Sequence, residues 1–148
     1  MKMNQKLIKL FLRLAIAIGF LSAVADRFGV WSKDVSSWGN WESFIAYTKL
    51  INPFVPEVLI SPLGILATTA EIILAILLIV GYKTEFSAKL SGYLLVVFAL
   101  AMLTSTGLKG VLDYSVLSAA AGAFALSQMK EKYFELDNVL KLPQGKLV

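Results

Sequence analysis

The sequence predicts an all-α membrane protein: an antiparallel four-helix transmembrane bundle with a short interfacial helix in its first outer loop. Three observations carry this reading. Of the 148 residues, 57% are apolar and 16% charged, and mean hydropathy is +0.73, more apolar than an ordinary soluble domain. Four apolar stretches, at about 7–25, 61–81, 86–106 and 112–128, have the length needed to cross a hydrocarbon core of roughly 30 Å. The segments between them hold the breakers, the tryptophans and most of the charge.

There is no Cys and no His. Disulfides, CxxC redox chemistry, thiolate nucleophiles, His-ligated haem and the usual zinc sites are therefore excluded, and no metal site is expected. The net charge of +4 does not indicate nucleic acid, because the excess Lys lies near helix ends, where a topology signal belongs.

The first span opens with Lys2, Lys6 and Lys9 and closes on Ala23-Val24-Ala25. A cleavable signal peptide has the same outline, but Arg13 interrupts the apolar run and three further spans follow, which favours a retained helix. Ala15, Gly19 and Ala23 recur every four residues, a small-residue face that would let another helix approach closely. The loop from Asp26 to Leu59 carries Trp31, Trp38 and Trp41, whose indoles suit a membrane boundary. Within it Trp41, Phe44, Ile45 and Thr48 share a helical face, Asn40 can cap and Asn52-Pro53 can stop, so a helix is expected over 41–51 on the bilayer surface.

The second span begins at Pro62, in its first turn, and ends at Gly81. Between Ser61 and Gly81 the one ionisable residue is Glu71, and a carboxylate there opposes insertion by about 2.5 to 3.5 kcal/mol. The turn Tyr82 to Glu85 leads into the third span, which runs out in Thr104-Ser105-Thr106-Gly107 before Lys109-Gly110 turns the chain. In the fourth span Ser118 with Gly122, and Ser115 with Ala119 and Ala123, form small ridges suited to close helix packing. Asp113 sits in its first turn, where a carboxylate favours the helix dipole; a functional role is the alternative. Residues 129–148 form a mixed-charge tail, with a break signal at Pro143-Gln144-Gly145.

Lys2, Lys6, Lys9, Lys83, Lys89, Lys130, Lys132, Lys141 and Lys146 fall at one face of a four-span arrangement, against Arg27, Lys33, Lys49 and Lys109 at the other. Positive-inside bias then places both termini in the cytoplasm and the Trp-rich loop outside. Counting 1.5 Å per residue, Arg13 lies about 9 Å and Glu71 about 15 Å from the cytoplasmic ends of their helices. An intramembrane Arg13–Glu71 ion pair is expected on this ground. Alternatively Arg13 snorkels to the interface and Glu71 is protonated, donating to the backbone or to Thr68. Glu71 with Thr68 would serve as a proton relay or ligand anchor. A second polar group gathers at the outer ends, with Asp26, Arg27, Asp113 and Tyr114 near Thr104 to Thr106; it could line a mouth for a polar headgroup or a quinone's carbonyls, or be ordinary interfacial solvation.

The order of Arg13 in the first helix, Asp26-Arg27-Phe28-Gly29 at its exit, a Trp-containing loop, A-E-I-I-L-A-I-L-L-I-V-G-Y-K-T at 70–84 and a small-residue fourth helix resembles the DoxX family of four-span membrane proteins, over roughly residues 8 to 128. The resemblance implies one membrane domain over 1–128 in the cytoplasmic membrane. It matches Glu71 to the family's intramembrane carboxylate, Arg13 to its helix-one basic residue and Gly81 to its structural glycine. Family members include a subunit of a thiosulfate:quinone oxidoreductase and components of membrane oxidoreductase complexes. The implied role is a quinone-associated accessory or membrane subunit, with a membrane quinone as its only cofactor. Its partners would be the lipid bilayer and a redox partner subunit or a second copy of the chain. A non-catalytic scaffold is the alternative, and a transporter is less favoured because no inverted repeat is visible.

Overall fold

The computed structural model describes residues 2–140, and all regular structure among the described residues is helical. Seven helices follow in order: α1 Lys2–Arg27, α2 Trp41–Ile51, α3 Glu57–Val80, α4 Thr84–Ser105, α5 Gly107–Asp113, α6 Val116–Gln128 and α7 Leu136–Leu140. Three of them (α1 from Gln5, α3 and α4) are long and apolar enough to cross a membrane, and α5 with α6 makes a fourth if this bent pair is one span. The Pro143-Gln144-Gly145 break, Lys141 and Lys146 lie outside the described residues.

The buried stripe of α1 is Lys9, Arg13, Ala17, Phe20, Val24 and Arg27, that of α3 is Gly64, Thr68, Glu71, Ala75 and Leu78, and each alternates steps of four and three residues, which keeps one helical face in register with a neighbour. The stripes face each other, and α6 closes the core with Ala123 and Leu126. The remaining surface of the long helices is apolar, with Ile65, Leu66, Ile73, Val97 and Leu100 all exposed, as a lipid-facing helix requires.

α2 has the expected bounds. Asn40 Oδ1 accepts the Ser43 N–H at 2.8 Å, the Asn52 N–H bonds to Lys49 O, and the buried side of the helix is Phe44 and Thr48. Replacing Asn40 with Ala is expected to destabilise the first turn of α2 by about 1 kcal/mol, read as faster amide exchange confined to residues 41–45.

Three features differ from expectation. α3 starts at Glu57, one residue after Pro56, so Pro62 lies inside the helix rather than in its first turn; it forgoes one backbone hydrogen bond there. The fourth span is not continuous: the chain bends by 56° between α5 and α6, with Ser115 at φ 54°. Lys109-Gly110 therefore lies within α5, and Asp113 sits at a helix C-terminus, where a carboxylate is unfavourable. It is offset by an exposed ion pair with Lys109 one turn earlier. The small-residue faces are buried only in part: Ala123 is in the core and Ala23 and Gly122 are half-buried, but Ala15, Gly19, Ser115, Ser118 and Ala119 are exposed. Close packing of α4 on α6 comes instead from Gly92, where a Cβ would stand 2.7 Å from Phe124 Cε1.

Gly81 ends α3 as expected, at φ 69°, ψ 44°, its N–H on Leu77 O. A side chain there would strike Arg13 Nη2 and the Glu135 backbone, both 2.6 Å from an added Cβ, so the position requires glycine for conformation and for space.

Candidate functional site

Arg27 is the last residue of α1, and its side chain turns back along its own helix to reach the middle of α3. Its Nη1 donates to Thr68 Oγ1 at 2.7 Å and to Glu71 Oε2, and its Nη2 donates to Glu71 Oε1 at 3.0 Å. Thr68 and Glu71 lie three residues apart on one helical face and grip the same guanidinium. The side chains of Arg27 and Glu71 are 3% and 2% exposed. Above the pair the guanidinium carbon lies 4.0 Å from the centre of the Phe44 ring and 5.3 Å from that of Trp38, so two aromatic faces add to the desolvated charge balance. One donor is left over: Arg27 Nε is buried without a hydrogen-bond partner.

This corrects the expected Arg13–Glu71 pair. Arg13 meets Leu78 and Ile79 late in α3, while Arg27 meets Thr68 and Glu71 earlier in it. Helical side chains lean toward their own N-terminus, so Arg13 leans away from Glu71 and Arg27 leans toward it. Depth alone does not choose between the two arginines; the lean does. Arg13 does not snorkel either, being fully buried. Its Nε donates to Leu78 O at 2.8 Å and its Nη2 to Ile79 O at 2.9 Å, satisfying terminal carbonyls of α3. Its Nη1 donates to Tyr133 O and Phe134 O, both at 2.9 Å. Lys9 Nζ donates to Glu131 O at 2.8 Å and pairs with buried Glu135 at 2.7 Å, and Asp137 accepts the Lys83 N–H at 2.9 Å. The segment 131–137 thus straps across the N-terminal part of α1, the C-terminal end of α3 and the N-terminal end of α4. From sequence Lys9 counted only as a topology lysine and Glu135 only as part of the mixed-charge tail, so the burial of neither was expected.

The outer-end residues do not form one cluster. Arg27 is turned inward, and Asp113 is exposed on Lys109. Asp26 accepts the N–H groups of Ser37 and Trp38, each at 2.9 Å, and the Ser36 hydroxyl, which folds the loop back over the end of α1. Asp26 and Tyr114 do share a wall: both line a cleft of about 1060 Å³, with Gly19, Trp31, Trp38 and Tyr47. Trp31 is held there by its indole N–H on Ser22 O at 3.1 Å. Burial, and then the neighbouring Tyr114, raises the pKa of Tyr47 above the ordinary phenol value, so it faces the cleft as a neutral hydroxyl donor.

No protein-family model, curated protein or solved structure matches the chain.

Proposed function

We propose that this chain is a DoxX-like protein of the cytoplasmic membrane, an antiparallel four-helix bundle with both termini in the cytoplasm. In this reading it holds a membrane quinone in its outer cleft as an accessory or membrane subunit of an oxidoreductase system. The observation that carries the proposal is the cleft itself. A volume of about 1060 Å³ is at the upper end of small-molecule sites. Its walls combine the flat indole and phenol rings of Trp31, Trp38, Tyr47 and Tyr114, and a phenol hydroxyl can donate to a carbonyl, a lining suited to a planar ring bearing carbonyls. The apolar surface of the long helices gives such a lipid a route from the bilayer. The chain supplies no redox group of its own, so electrons would come from the partner subunit and the cleft would position the acceptor.

Gly19 offers a clean test, because it lines the cleft and a Cβ built there meets nothing within 4 Å. Protein extracted in mild detergent is expected to carry quinone measurable by mass spectrometry, and Gly19→Leu, which projects into the cleft, is expected to reduce it at least about tenfold, the effect of an overfilled pocket. Absence of quinone from the parent, or equal quinone in both proteins, would overturn the reading.

A further inference from the structure

Beneath the aromatic loop lies a second, smaller cavity of about 140 Å³, enclosed by α2, α3 and α4 and separated from the outer cleft by Trp38 and Met102, which line both. Its walls are mostly apolar, with Phe44, Ala67, Val97 and Ala101, and carry the polar residues Thr48 and Asn52 and one charged residue, Arg27. The unpartnered Nε of that arginine belongs to a side chain 3% exposed. A buried donor left unmade is costly, and native proteins rarely leave one.

Three properties define what would satisfy it. The size matches a single six-membered ring, since a dry apolar cavity of about 150 Å³ accepts benzene. The charge of Arg27 is already balanced by Glu71, so a bound anion would face an uncompensated carboxylate, whereas a neutral acceptor needs no counter-charge. Thr48 and Asn52, also on the wall, spend their donors on Phe44 O and Thr48 O, so they offer an incoming carbonyl no competing donor. The way in is from the side: Val97 on the wall is 58% exposed, on a helix surface that would face lipid.

We propose that this cavity binds a small, uncharged, lipid-soluble aromatic carbonyl compound, entering between α3 and α4, its ring against Phe44 and its carbonyl oxygen accepting from Arg27 Nε. The site does not depend on what occupies the outer cleft, and Gly19→Leu leaves it intact.

The probe is acetophenone, with ethylbenzene as the comparison of similar shape that lacks the acceptor, both titrated by ligand-detected NMR against the full chain in lipid nanodiscs. Acetophenone is expected to bind saturably and about three- to tenfold more tightly than ethylbenzene, the difference one hydrogen bond makes. Ala101→Leu, which fills the cavity, is expected to abolish saturable binding of both. Should that variant fail to fold, Val97→Phe at the exposed rim blocks entry with the same expected result. Absence of saturable acetophenone binding, equal affinity for the two probes, or unchanged binding in a folded cavity-filled variant would each overturn the proposal.

Discussion

Replacing Arg27 with Met is expected to be among the most damaging single changes in the chain, lowering stability by about 3 to 5 kcal/mol, because it leaves the Glu71 carboxylate buried with no counter-charge. Three polar contacts vanish together, two to Glu71 and one to Thr68, and Phe44 and Trp38 lose the cation beneath them. The double variant Arg27→Met with Glu71→Leu should recover most of that loss, since replacing a buried pair by apolar groups of similar volume is often neutral or better. Thermal unfolding of the four proteins of this cycle in one detergent checks it. An Arg27→Met protein that melts with the parent would show that the pair contributes nothing.

Arg13→Met is expected to rank with it, for a different reason. Arg13 joins two segments distant in sequence by donating to two carbonyls of each, Leu78 and Ile79 in α3, Tyr133 and Phe134 in the strap. Each buried acceptor left without a donor costs about 1 to 3 kcal/mol unless water reaches it. The strap is expected to lift rather than stay docked over a dry gap. Limited proteolysis should then cleave within 129–137 in Arg13→Met while sparing the parent, and the melting temperature should fall. Arg13→Lys should restore little, because an ammonium lacks the planar fork that reaches all four oxygens at once.

Much of the architecture was legible in advance. The bounds of α2 followed from Asn40 and Asn52, the end of α3 from Gly81, and the apolar spans from hydropathy. The arginines were partly legible: a buried partner for Glu71 was expected but assigned to Arg13, while Arg27, fourteen residues on and so on the same helical face, was placed in the outer-end cluster. Which of them would reach it depended on the direction in which helical side chains lean, a point that counting residues by depth ignores. The bend at Ser115 had no such signal, since Asp113-Tyr114-Ser115 contains neither Pro nor Gly and a left-handed serine is set by tertiary context. Glu135 was hidden for a similar reason: its burial depends on Lys9, far away in sequence, and only the folded chain brings them together.

The strap also imposes an order on biosynthesis. Lys9 and Arg13 leave the ribosome long before Glu131 to Glu135, so while the intervening helices are made Lys9 lacks both of its partners and Arg13 lacks two of its four. Its N-terminal half stays hydrated until the tail arrives to complete those contacts. Final seating of that helix is therefore a late event, completed after the other helices are in place.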